Sequence, residues 1–451
     1  MSKVKIYFLS LTSILIFTFI FLITFQLEPQ QLYICDAYIN LSSRIFSYSF
    51  EFIYPTSLCD DKVYLNAVTS FDNLFSESNN QYQNRPLYLI IVFLIYKWTA
   101  LFGSSIGIEI SFLLAQVLLI SISVFLLTLK LNEFYKIRLF EILQITIIFS
   151  LNPLVQFGLF TTSSQTTTLL VFCLTFYFYN KLDTNTQIYK IAILYGILFL
   201  LNRSFFVGFV FLLLLHILKN KKSIFYKILS LFNLLIFFLP NFIYKSVLKF
   251  NGILIYDINS EYYGQFIWVS KYFDSGLLFW VSKLLLPKKL FELRFKTNWN
   301  VQDEWYCQSI PENFICYFKD SLSLLQYLLV PTLLLLVSIF FVKNKSKYTN
   351  ELTFLGISIY LFWSFIGWYP PIRFSLYSIS NLIFLLLIVK ILDLDNLKNK
   401  FLFLLIILST TFHIDHWNSP EMNLLKYNEI ISLLLVVFYV YKIFNDKSKK
   451  T

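Results

Sequence analysis

Charged side chains are scarce in this chain: Asp, Glu, Lys and Arg supply 14% of its 451 residues. A soluble domain uses about a quarter to cover its surface. That deficit, beside 57% hydrophobic and 20% aromatic residues, excludes an ordinary soluble globular protein. A glycine-rich loop of the nucleotide-binding kind is also absent, and the cysteines show no metal-ligand spacing. There is no convincing internal repeat of the sort many transporters carry. The first apolar stretch, 7–25, follows the basic Ser2-Lys3-Val4-Lys5 but is too long for a signal peptide and lacks a small-residue cleavage site. It therefore reads as a retained anchor.

What is present is a series of uncharged stretches long enough to cross about 30 Å of hydrocarbon. The formal charge of +11 does not point to nucleic acid, because the basic residues sit in short clusters between these stretches. Such spacing is what the positive-inside rule produces in cytoplasmic loops. The clusters are the N-terminus, Lys130/Lys136/Arg138, Lys181, Lys219/Lys221/Lys222, Lys343/Lys345/Lys347, Lys398/Lys400 and Lys447/Lys449/Lys450. With all of them inside, the number of crossings between consecutive clusters must be even. Parity then makes 87–101 a helix lying along the outer surface or dipping in and out, its Tyr88, Tyr96 and Trp98 suited to an interface. The remaining spans fall near 110–129, 139–157, 163–180, 188–202, 204–218, 224–243, 322–342, 352–368, 374–391, 400–416 and 428–444. The fold class expected is thus an all-α polytopic integral membrane protein of about twelve transmembrane helices with both termini cytoplasmic. Its expected location is a bacterial inner (plasma) membrane.

Three regions follow: an N-terminal transmembrane module over 1–243 with an outer loop at 26–109, a second outer loop at 244–321, and a C-terminal bundle over 322–451. The polar material sits in the two outer loops, so chemistry is expected on the extracytoplasmic side. All prolines except Pro331 lie in outer loops or near outer helix ends, where irregular backbone can line a cavity. Cys35 and Cys59 share the first outer loop, Cys307 and Cys316 the second, and Cys173 is alone in a span. An oxidising compartment would allow one bridge per loop; four free thiols are the alternative.

The first outer loop carries Cys59-Asp60-Asp61-Lys62-Val63-Tyr64. Adjacent carboxylates raise each other's pKa by repulsion, which suits a general base near neutral pH; a solvated acidic turn is the plainer reading. Asn84-Arg85-Pro86-Leu87-Tyr88 follows and leads to Phe102-Gly103. A polar run, Thr161-Thr162-Ser163-Ser164-Gln165-Thr166, stands at the outer end of two spans. Tyr195-Gly196 through Leu201-Asn202-Arg203-Ser204 sets one arginine at the outer turn of an apolar hairpin, and Pro370-Pro371-Ile372-Arg373 sets another at an outer helix end. Charge at membrane depth is costly and usually functional.

In this order the motifs resemble the GT-C superfamily of polyprenyl-phosphate-dependent glycosyltransferases, which includes protein O-mannosyltransferases and the lipid A aminoarabinose transferase. The resemblance covers roughly 5–220 and the stretch around Arg373. It implies that Asp61 or Asp60 deprotonates or orients an acceptor hydroxyl for an inverting displacement of the lipid phosphate. It implies donor phosphate-binding by Arg203, Arg373 and Arg85, whose guanidinium forks suit phosphate oxygens. Tyr64, Gln165, Glu261 and Tyr262 become candidates for substrate contact. The slot where relatives carry a second acidic residue reads Ser163-Ser164-Gln165 here, which leaves only the first-loop aspartates. Partners implied are a polyprenyl-phosphate sugar donor, a lipid, glycan or protein acceptor, and the membrane, with no nucleic acid.

No cofactor follows from the sequence, and a divalent metal stays open. His413, Asp415 and His416 are ligand-type residues, but a third reliable ligand is not visible and an interfacial helix cap explains them as well. The segment 276–293, with Lys283, Lys288 and Lys289 among Leu, Phe and Trp, reads as a helix on the membrane surface. Two other readings remain: a transporter or flippase of lipid-linked sugars, and a polysaccharide polymerase or ligase.

Overall fold

A computed structural model describes isolated residues between 8 and 75, then 85–101, 108–150, 167–182, 185–219, 230–253, 330–340, 349–366, 372–394, 397–411 and 434–442, less a few single positions in these ranges. The described residues form an all-α fold, apart from a two-residue antiparallel pairing of Asn40–Leu41 with Phe50–Glu51. A short 3-10 helix, Asp72–Phe75, precedes the main helices. These are α1 (Pro86–Leu101), α2 (Ile108–Tyr135), α3 (Leu139–Ser150), α4 (Thr167–Phe178) and α5 (Asn185–Phe199). They continue with α6 (Phe205–Lys219), α7 (Asn233–Phe250), α8 (Thr349–Ile366), α9 (Ile372–Asp393) and α10 (Leu397–Thr411). Further helical segments lie at Val330–Phe340 and 434–442.

Several buried hydroxyls in the helices bond their own backbone. Ser121, Ser123, Thr128, Thr146 and Ser338 donate to carbonyls four residues earlier at 2.6–2.9 Å. That bond satisfies the side chain where no water reaches. Ser111–Glu133 within α2 is long and apolar enough to cross a membrane; Pro86–Trp98, Leu139–Ile148, Thr167–Phe178, Gln187–Phe199, Phe205–Leu218 and Val330–Phe340 are shorter apolar helices.

Contacts arrange these helices with two distinct ends. At the first end, the start of α1 packs on the first third of α2: Gln116 Nε2 donates to the Tyr88 hydroxyl at 2.8 Å, and the Tyr88 ring lies 6.0 Å from that of Phe112. The Leu87 amide donates to the Leu200 carbonyl at 3.2 Å, in the turn between α5 and α6. Near the same end, Asn381 of α9 donates to Thr168 of α4 at 3.3 Å. At the second end, Tyr135 closes α2 against Asp393 of α9 at 2.8 Å, and Lys400 of α10 meets Glu141 of α3 at 2.5 Å. His216, near the end of α6, bonds the Leu182 carbonyl in the α4–α5 link.

Two expectations change. Tyr88 is fully buried inside the protein and not at an interface; its hydroxyl has a partner in Gln116, so burial leaves no polar group unmet. The span expected to stop at 243 continues to Phe250, so the second loop begins with helix. Gly252 ends it with φ 70°, and the Gly252 and Ile253 amides bond the Lys249 and Leu248 carbonyls. That is a Schellman closure, whose left-handed residue glycine adopts without steric cost. Pro240, inside this helix, does not stop it.

Candidate functional site

The site begins with the short stretch after the paired aspartates. Tyr64, Ala67, Val68 and Leu74 are buried, which draws this part of the first loop onto the bundle. Phe71 packs its ring against Phe75 at 5.2 Å and against Phe93 of α1 at 5.9 Å. Asn73 donates to the Asn66 carbonyl and to Thr69 Oγ1, knitting the segment internally.

Tyr64 then meets the start of α1. Arg85 Nη1 donates to the Tyr64 hydroxyl at 2.9 Å, a bond strengthened by the guanidinium charge. Arg85 stands immediately before Pro86, which takes the first helical position, where its missing N–H is no loss. The amide of Leu87 reaches across to Leu200, three residues before Arg203. Two stretches more than a hundred residues apart in sequence are therefore joined by backbone.

The turn that holds Arg203 is built by Asn202. Its Oδ1 accepts from the Ser204 amide at 2.9 Å and from the Ser204 hydroxyl at 2.6 Å, and both residues are fully buried. The Phe205, Phe206 and Val207 amides bond the Asn202, Arg203 and Ser204 carbonyls in turn, opening α6. Sequence reasoning gave Asn202 no role, although an Asn just before an apolar helical run is a start signal. Below the turn, Tyr195 is enclosed by Phe178, Phe205 and Phe209 and shares a hydrogen bond with Thr175 at 2.9 Å. Gly208 sits against Thr175, Val171 and Tyr195.

No protein-family model, curated protein or solved structure matches this chain.

Of the residues singled out, the structure brings together Tyr64, Arg85 and the Arg203 turn. Arg203 is half-buried there. Arg373 is the second residue of α9, eight residues or about 12 Å of helix before Asn381, which puts its backbone beyond the first end; its side chain is outside the described residues. Asp60, Asp61, Gln165, Glu261, Tyr262, His413, Asp415 and His416 also lie outside the described residues, as do Cys35, Cys59, Cys307 and Cys316. Cys173 is buried and free. Among the described residues no group of three or more His, Cys, Asp or Glu is placed to hold a metal ion.

Proposed function

We propose that this chain is a polytopic membrane glycosyltransferase that moves a sugar from a polyprenyl-phosphate donor to an acceptor hydroxyl on the extracytoplasmic side. The observation that carries the reading is the junction of Tyr64, Arg85 and the Arg203 turn at one end of the helices. Asp61 precedes Tyr64 by three residues, so chain length alone keeps its Cα within about 11 Å of the Tyr64 Cα. A carboxylate and an arginine at one helix end are the two charges an inverting displacement needs.

The chemistry runs in one step. An aspartate accepts the acceptor's hydroxyl proton as the oxygen attacks the anomeric carbon. The bond from that carbon to the phosphate oxygen breaks from the opposite face. Both electrons leave with the lipid phosphate, where Arg203 and Arg373 offset the developing charge.

Sidedness supports the membrane part of the reading. The basic clusters expected inside are represented at the second end by Lys130, Arg138, Lys398 and Lys400, away from the Arg85–Arg203 junction. Tyr88 meets α2 at residues 112–116, near its start, which fits a helix α1 that begins and stays at the outer end.

The test is transfer from radiolabelled polyprenyl-phosphate hexoses and pentoses in membranes holding the wild type, Asp60→Asn, Asp61→Asn or the double variant. One single variant is expected to lose about 100-fold or more of the rate at unchanged protein level. Full transfer by the double variant overturns the mechanism.

A further inference from the structure

We infer that Arg85 is a positioning residue and not a donor phosphate ligand: through Tyr64 it holds the aspartate-bearing end of the first loop in register with the Arg203 turn. The inference rests on the transferase reading above and deepens it. Arg85 is pinned on its C-terminal side, because Pro86 starts α1 and the Leu87 amide is bonded to Leu200. Its guanidinium donates to a tyrosine that is 4% exposed. A buried phenol can shift little within its packing, so the bond fixes Tyr64 relative to α1 and, through Leu200, relative to Arg203. Tyr64 in turn ends the short stretch that starts at Asp60. Tyr64 and the Arg203 turn come from sequence-distant segments, and the Arg85–Tyr64 and Leu87–Leu200 bonds link the two.

The two roles for Arg85 differ in kinetics. A phosphate ligand contributes to donor binding, so its loss raises the donor KM. A strut leaves donor binding intact and misplaces the base, so its loss falls on kcat. Tyr64→Phe removes one hydroxyl and keeps the ring, so the fold should survive. Tyr64→Phe and Arg85→Gln are each expected to lower kcat about 10- to 100-fold, the range a misplacement near 1 Å produces. Donor KM should stay within about twofold. The double variant should be no worse than the poorer single one, because both break the same bond. Arg85→Lys, which retains a donor, should recover part of the rate. A raised donor KM in Arg85→Gln, with Tyr64→Phe behaving as wild type, overturns the inference.

A second readout does not depend on activity. With Cys35, Cys59, Cys307 and Cys316 each replaced by serine as background, an Asp61→Cys variant is labelled with a membrane-impermeant maleimide. Adding Tyr64→Phe or Arg85→Gln should change its labelling rate several-fold and equally. Unchanged rates overturn the strut whatever the reaction is. Changed rates with no transfer from any donor would keep the strut and remove the glycosyltransferase reading.

Discussion

Among the described residues, three glycines sit where helices approach closely, and their surroundings differ enough to rank them. A methyl added at Gly208 would lie 2.6 Å from Thr175 Oγ1, whose position is set by its bond to Tyr195. At Gly196 it would run into the Phe237 carbonyl of α7, next to Pro240. At Gly356 it would meet only the end of the Leu382 side chain, at 2.7 Å. Alanine gains about 1 kcal/mol over glycine in a helix interior, while overpacking costs about 1–3 kcal/mol. Leu382 can rotate away, so the gain and the cost should nearly cancel for Gly356→Ala. Thr175 cannot move without breaking a buried hydrogen bond, so Gly208→Ala should be more destabilising than Gly356→Ala, by about 1–2 kcal/mol net. Thermal unfolding of the two variants in detergent checks the order; equal melting temperatures would mean that Thr175 gives way.

At the scale of elements, the second end is held by ionic and polar contacts between sequence-distant helices. Glu141 does two jobs: one oxygen accepts from the Arg138 amide at 2.8 Å, half of a capping box that starts α3, and the other takes Lys400 of α10. Lys130 is only 1% exposed and is met by Glu133. Removing one member of such a pair leaves a poorly solvated charge behind, which costs more than the pair itself is worth. Lys400→Met should therefore destabilise by about 1–3 kcal/mol, given that the pair is only partly buried. Glu141→Gln should lose a similar amount, because its single amide oxygen can accept from Arg138 or from Lys400 but not from both. Double-mutant analysis of unfolding in detergent should return a coupling energy above about 0.5 kcal/mol; a value of zero would show that water already solvates both groups.

The same elements show what could be read in advance. Helix positions were legible because an uncharged run of this length has few other solutions. Expected spans at 188–202 and 204–218 coincide closely with α5 and α6. The end of α7 was misplaced because Lys245 and Lys249 look like a loop in composition, whereas the Asn251-Gly252 closure decides the stop. Tyr88 was misread because an aromatic near a helix start suits either an interface or a core, and only its neighbour Gln116 chooses. Tyr64 and Arg85 were both singled out from sequence, yet their bond was not, since a separation of 21 positions in a loop carries no periodicity.

For the whole molecule, the argument turns on which end faces which side. Lys130, Arg138, Lys390, Lys398 and Lys400 gather toward the second end with Glu133, Glu141 and Asp393. The first end has the Arg85–Tyr64 pair and the Arg203 turn. Lys and Arg near short loops set orientation by resisting translocation, whereas acidic residues contribute little. The second end is therefore the cytoplasmic one in the proposed arrangement, and the test needs exposed positions. Phe71 is 58% exposed beside α1, and Lys398 is exposed in the first turn of α10. In a background whose native cysteines are replaced, Phe71→Cys should react with an impermeant maleimide added to intact cells. Lys398→Cys should react only after the membrane is opened. The reverse pattern would invert the molecule and put the site where nucleotide sugars are at hand, ending the case for a lipid-linked donor. Labelling of both positions from outside would mean that α2 and α9 do not carry the chain across, and the polytopic reading would fall with it.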